Sequence, residues 1–347
     1  MSSPPPPGVY VPVPTFFHPR SSPSYSASAS PLDIPTQASH SLHLARAGIK
    51  GLVVLGSTGE AVHLSNAERY ELLNGIREAL DKEGFKDYPI IAGTAAQGIE
   101  EVVGQLKEAK RARAGWGLVL VPGYFAGAVG DEGIIEWFKA IADQSPIPIM
   151  MYVPLPFRLL PQTNPNALTS SYHYPGVSNN VRVPPSVFVT LAQHPNIVGC
   201  KLSHGDVSVH AQIALSPSID HSHFHTFTGL GQQLLPAISV GCAGTIDGSA
   251  GFFPKTVVRL YELSVKEDLS KEEREERKKL QYRVSRVEEI VVKFGTVGIK
   301  ECVSRVLGMG DRDGTRLPLR GGIPGGDAEW EKWADVVRDV EEVEKAL

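Results

Sequence analysis

Eight short, β-rich apolar runs recur along this chain, and no other feature constrains the fold as tightly. They are GVYVPVP (8–14), GLVVLG (51–56), YPIIAG (88–93), WGLVLVP (116–122), IPIMMY (147–152), NIVGCK (196–201), HTFTG (225–229) and GTIDG (244–248). Several lack polar alternation, the pattern of strands buried on both faces of a parallel sheet. Amphipathic stretches fill the intervals. SNAERYELLNGIREALDKEG (65–84) opens with Ser65 at an N-cap position, carries Glu68 three residues on, and ends at Gly84, the punctuation of a helix. Residues 98–115, 131–144 and 184–195 read the same way. Strands alternating with helices predict an α/β fold, a (β/α)8 TIM barrel, with an open doubly wound sheet as the alternative.

Strand-like runs stop near residue 254. The remainder is helical by pattern, and its charge run at 266–279 reads as a solvated helix face. The expected organisation is a disordered proline-rich lead (1–7), a barrel (8–254) with an irregular insertion at about 153–172, and a C-terminal helical region (255–347). The serine-rich stretch 18–31 is expected to be a mobile loop.

A length of 347 residues, 42% of them hydrophobic, is ample for a large core. The net charge of −4 supplies no basic footprint for nucleic acid. No apolar run approaches the ~18 residues that span a bilayer. The opening MSSPPPPG lacks the features of a secretory signal. Cys200, Cys242 and Cys302 lie far apart, without zinc-site spacing, which suits a reducing compartment. A cytoplasmic location is expected.

Reactive side chains of a barrel sit at the C-terminal ends of its strands. Lys201 takes that place if NIVGCK is the sixth strand. A lone lysine there often only snorkels to water. In apolar surroundings the ammonium form is disfavoured, and a neutral amine can attack a ketone to give a Schiff base. The imine is an electron sink, so a neighbouring carbon–carbon bond can break with no metal or cofactor. The LGSTGEAVHLS turn (55–65) follows the second strand directly. Gly56, Ser57 and Thr58 could cradle an anion such as a keto-acid carboxylate, with Glu60 in a structural role. Tyr124, Tyr152 and Tyr172 follow the fourth and fifth strands and could bind a carboxylate or relay a proton. His221, His223 and His225 read as a surface or strand-entry cluster, and GLGQQL (229–234) lacks the setting of a dinucleotide site.

Four stretches, GVYVPVPTFF, GLVVLGSTGEAVHLS, IVGCKLSHGD and VGCAGTIDGSAGFFP, stand in the order and spacing of the dihydrodipicolinate synthase/N-acetylneuraminate lyase family, which the chain resembles over nearly its whole length. The resemblance implies a barrel with a C-terminal helical region, class I aldolase chemistry on pyruvate, a small 2-keto acid substrate, and a homo-oligomer, usually a tetramer. Within the family, GFKDYPIIAGTAAQG, YPGVSNNV and VGIKECVSRVLGMG resemble members that split a 2-keto-3-deoxy hexonate. A 4-hydroxy-2-oxoglutarate aldolase, or an impaired barrel serving as a binding or assembly subunit, are the other readings. Lys201 is similar to the imine-forming lysine. Ser57 and Thr58 occupy the pyruvate-carboxylate position. Ile246 would line the pyruvate pocket, and Tyr124 resembles the tyrosine that reaches a neighbouring subunit's site. For the remaining family tyrosine, strand position selects Tyr152 and the local motif YHYPG selects Tyr172. The arginine that binds the second substrate of dihydrodipicolinate synthesis is absent from YPGVSNN, and Gly251 stands where many members have Asn. Joining PIPIMMY directly to HYPGVSNN restores an ordinary family segment, so residues 153–172 are expected to be an in-frame retained intron or a genuine loop insertion.

Overall fold

The structure is a computed structural model and describes residues 2–153, 178–179 and 181–347. Its centre is a closed barrel of parallel strands, each hydrogen-bonded to the next and the eighth to the first. The strands are β1 (Gly8–Pro12), β2 (Gly51–Val54), β3 (Ile90–Thr94), β4 (Trp116–Leu120), β5 (Ile149–Val153), β6 (Ile197–Leu202), β7 (His225–Thr228) and β8 (Gly244–Ile246). Closure pairs Gly8 with Gly244 and Tyr10 with Ile246. The sequence reading of eight strands holds, and each falls within or beside its predicted run.

Alternation along the strands sorts side chains into two layers. Tyr10, Val53, Ile91, Leu118, Met150, Tyr152, Val198, Phe227 and Ile246 fill the barrel interior as one cluster. Their neighbours Val9, Val11, Leu52, Val54, Val119, Met151, Cys200 and Leu202 face outward into the larger core beneath the helices. Lys201 lies between two outward residues of β6 and so belongs to the inner face.

The helical layer begins with α1 (Ile34–Arg46) and α2 (Asn66–Lys82). Ser65 and Glu68 form a reciprocal capping box at the start of α2, as their spacing predicts. Next come α3 (Ile99–Arg111), α4 (Asp131–Gln144), α5 (Pro185–Leu191), α6 (Val207–Ala214), α7 (Leu234–Ser239) and α8 (Pro254–Val265). The C-terminal region contains α9 (Lys271–Leu307), α10 (Gly326–Trp330) and α11 (Ala334–Ala346). Helix α9 is broken at Gly295, whose φ of 56° and ψ of −138° are non-helical. On both sides of that break it packs in one cluster with Phe16, Phe252 and Phe253, so the extension covers chain that follows β1 and β8.

The proline-rich lead corrects one expectation. Residues 2–7 do not trail into solvent but bind the N-terminal end of the barrel. The Trp116 indole donates to the Ser3 carbonyl at 2.9 Å, and the Tyr10 hydroxyl donates to the Pro6 carbonyl at 2.8 Å. His223 Nδ1 meets the Ser2 carbonyl at 3.0 Å and His225 Nδ1 meets the Pro5 carbonyl at 2.8 Å. Two of the three alternating histidines are therefore anchors for the lead, while His221 is exposed. The 18–31 segment is tied at its base: Phe17 and Leu32 form an antiparallel bridge, and the Ser30 carbonyl accepts from the Arg316 guanidinium.

Candidate active site

The turn after β2 is built under strain. Leu55 and Glu60 bracket it with φ values of 65° and 52°, in the left-handed region that a side chain disfavours. Two contacts hold it there. Gly93 of β3 lies so close that a Cβ would sit 2.3 Å from the Leu55 carbonyl oxygen, and Thr15 donates to the Gly59 carbonyl at 2.7 Å. The Ser57 carbonyl accepts from the Glu60 N–H at 3.1 Å and from the Thr296 hydroxyl at 3.3 Å. Thr296 directly follows the Gly295 break, so the kink delivers α9 to this turn.

Glu60 anchors the turn from below. Its carboxylate accepts from the Lys300 ammonium in a fully buried pair, meets His63 Nδ1 at 3.0 Å, and accepts from the Arg316 N–H at 3.4 Å. Burial alone would raise the Glu60 carboxyl, but Lys300 and these hydrogen bonds outweigh it and hold the group below the usual range. Lys300 also donates to the Gly314 carbonyl at 2.7 Å. The structural role expected of Glu60 is thus the one observed.

Lys201, at 5% exposure, projects from the C-terminal end of β6. Its Nζ lies 4.5 Å from the ring centroid of Tyr152 at the end of β5, its partner in strand register. The Tyr152 phenol is pushed up by burial, with partial relief from Ser57 and Ser203 beside it. No described group meets ordinary hydrogen-bond geometry with the Tyr152 oxygen. Gly229, after β7, lies close to both side chains: a Cβ there would stand 1.9 Å from Ser203 Oγ and 2.9 Å from Lys201 Cε, so one or both would have to shift.

A cavity of about 410 Å³ opens above this floor. Gly56, Ser57, Thr94, Gln97, Tyr124, Tyr152 and Asn179 contribute to its wall. Gln97 Oε1 accepts from the Gly123 and Tyr124 N–H groups at 2.9 and 3.1 Å, and Asn179 Nδ2 donates to the Gly123 carbonyl at 2.9 Å. Together they hold the loop that presents Tyr124, 76% exposed at the rim.

Of the sequence-derived candidates, Gly56, Ser57, Tyr124 and Tyr152 line this cavity, and Lys201 lies against the Tyr152 ring. Thr58 is buried in the same turn, and Ile246 belongs to the interior cluster that contains Tyr152. Tyr124 stays at the rim, and Tyr172 lies outside the described residues. Ser203, Gly229, Gln97 and Asn179 were not anticipated. Ser203 had a signal, since it stands two residues beyond Lys201 and therefore on the same side of an extended chain. The others are brought in by long-range contacts that no local pattern marks.

This arrangement suits covalent chemistry at a carbonyl: a buried amine, a phenol against it, and a strained turn of small residues within reach. Among the described residues no group of three or more His, Cys, Asp or Glu could hold a metal ion. The family model described as "Dihydrodipicolinate synthetase family" matches residues 37–163 and 160–321. An L-threo-3-deoxy-hexylosonate aldolase from Hypocrea jecorina is 33% identical over 318 residues, covering 90% of each chain. A protein of Emericella nidulans named as a mitochondrial 4-hydroxy-2-oxoglutarate aldolase is 32% identical, covering 88% of this chain and 87% of the relative. The crystal structure of a Coccidioides immitis protein assigned to the dihydrodipicolinate synthase family superposes with a TM-score of 0.75 at 26% identity, covering 99% of this chain and 98% of that one.

Proposed function

The chain belongs to the dihydrodipicolinate synthetase family and is a pyruvate-dependent carbon–carbon lyase, and from that premise we propose that it cleaves 2-keto-3-deoxy-L-galactonate, also called L-threo-3-deoxy-hexulosonate, to pyruvate and L-glyceraldehyde in D-galacturonate breakdown. The contact between the Lys201 amine and the Tyr152 ring carries the reading. The Lys201 Nζ lone pair attacks the C2 ketone. The Tyr152 phenol gives its proton to the departing hydroxyl, so water leaves and an iminium forms. Burial raises the proton affinity of the phenolate, making it a strong base for the C4 hydroxyl proton. As that proton moves, the aldehyde C=O forms at C4, the C3–C4 bond breaks, and its electrons flow through C3 and C2 to neutralise the iminium as an enamine. L-glyceraldehyde departs. Tyr152 returns the proton to C3, water adds at C2, and pyruvate leaves with the amine restored. Gly56, Ser57 and Thr58 hold the substrate carboxylate against a pre-arranged turn, and Ile246 packs against its pyruvate end.

The test is borohydride reduction in the presence of pyruvate, followed by mapping of the adduct. A covalent mass increment on Lys201 supports the mechanism, and intact, folded, unmodified protein refutes it. A 4-hydroxy-2-oxoglutarate aldolase is the second reading, favoured by the Emericella nidulans relative. Condensation of pyruvate with L-glyceraldehyde, D-glyceraldehyde and glyoxylate in parallel separates the two.

Exposed Tyr124 and Phe125, packed edge to face at 4.9 Å, support a homo-oligomer in solution, with a tetramer the expected form. Cys200, Cys242 and Cys302 are all buried thiols, which supports the cytosol. No helix among the described residues is long and apolar enough to cross a membrane. The two family-model matches meet at residues 160–163, inside the proposed excess segment 153–172. That break supports reading the segment as additional to the family pattern. Val153 is the last residue of β5, and residues 154–172 lie outside the described residues.

A further inference from the structure

Helix α9 carries a carboxyl group with no obvious purpose. Glu288 is 1% exposed, and neither of its oxygens receives a hydrogen bond of ordinary geometry among the described residues. No cation there pairs with it. Its neighbour is a second buried carboxyl, Asp247, the residue immediately after Ile246 at the end of β8. Asp247, by contrast, is fully supplied with donors. It accepts from the Ser249 N–H at 3.1 Å, the Ser249 hydroxyl at 2.8 Å and the Ala250 N–H at 3.3 Å. Its own N–H donates to the Tyr10 carbonyl at 2.9 Å.

Two carboxylates cannot both be ionised in contact in an apolar interior. Three donors converge on Asp247 and none of ordinary geometry on Glu288, so the proton belongs on Glu288, whose burial beside Asp247 drives it toward the neutral form. A neutral Glu288 can donate to Asp247, which gives one of its two oxygens a partner. Asp247 also abuts the turn after β7: a Cβ at Gly231 would lie 2.7 Å from its Oδ2. The same helix grips that turn directly, for Gln281 Nε2 donates to the Gly231 carbonyl at 3.1 Å and Gln281 Oε1 accepts from the Leu235 N–H at 2.9 Å.

We propose that Asp247 and Glu288 share a single proton, and that this carboxyl–carboxylate contact fixes the end of β8, with Ile246, against the pyruvate end of the substrate. Both are positioning residues, and neither touches the reacting atoms. The inference rests on the Schiff-base reading for its functional consequence, but the shared proton is a property of the folded protein alone.

Two measurements on the full chain test it. In infrared difference spectra at neutral pH, the parent minus Glu288→Gln shows a protonated-carboxyl C=O stretch; without that band the inference is overturned whatever the activity. In pyruvate-dependent borohydride trapping, Glu288→Gln restores a donor and keeps half-saturating pyruvate within about twofold of the parent. Asp247→Asn keeps the shape but removes the acceptor charge, and raises half-saturation roughly tenfold with little change in the limiting trapping rate. Both variants are near-isosteric, and unchanged circular dichroism verifies their fold. Equal losses in the two variants, or none in Asp247→Asn, overturn the positioning role. Absence of trapping in the parent instead overturns the assignment of Lys201, leaving the infrared result to decide the shared proton.

Discussion

At the residue scale, the proposed chemistry depends on an amine that can lose its proton. Lys201→Arg preserves the charge and much of the stem, yet a guanidinium stays protonated at any working pH. It should abolish both borohydride trapping and aldol cleavage while leaving the thermal transition nearly unchanged. Tyr152→Phe tests a different step. The ring that packs against Lys201 remains, and only the proton relay goes, so kcat should fall by about 10²- to 10⁴-fold. Adduct mapping should still find Lys201 modified after long incubation. Equal kcat in Tyr152→Phe and the parent would transfer the relay to another group, with Tyr172 the sequence-derived alternative.

At the scale of elements, the turn after β2 is held by charges from the C-terminal region. Lys300→Met leaves Glu60 buried without its cation, and should lower unfolding free energy by about 3–5 kcal/mol in urea titrations. Adding Glu60→Gln to that variant should return part of the loss. A second tie runs from Arg316 to Glu68 in the capping box of α2. The Arg316 hydrogen bond holds the Glu68 carboxyl down at about 2, against an ordinary 4.5. In the unfolded chain the group titrates near that ordinary value. The stabilisation is therefore complete above about pH 4.5 and disappears as the pH falls toward about 2. Urea midpoints measured across that interval should drop more steeply for the parent than for Glu68→Gln.

The same elements show what was readable before the structure. Apolar runs marked all eight strands, because a parallel strand buried on both faces has no polar side to disguise it. Helix α1 escaped, since its buried residues include Gln37, His40 and Ser41, which imitate a solvent face. The strand-end positions of Lys201 and Tyr152 were legible from the apolar runs, with Tyr172 left as the alternative tyrosine. Lys300 was not, because its partner Glu60 is 240 positions away in sequence. The pairing of Asp247 with Glu288 depends likewise on where α9 lies across the barrel.

For the whole molecule, the segment 153–172 is the feature to resolve. A retained intron predicts that peptide maps of the protein from its native tissue lack these residues, with Tyr152 followed directly by His173. Continuous coverage through 153–172 would establish a genuine insertion. The proposed assembly has its own check: analytical ultracentrifugation should give a mass near four chains, and the double variant Tyr124→Ser/Phe125→Ser should sediment as smaller species.

The close approach of Gly229 to Lys201 and Ser203 bears on how such an enzyme could be retargeted. Any side chain at 229 would push against the ends of Ser203 and Lys201, so varying this position should displace the proposed nucleophile. The rim has the opposite character at Val62, which lines the cavity and is 76% exposed, leaving room for a replacement side chain. New aldehyde preferences should therefore be sought by varying the entrance while the base of the well stays untouched.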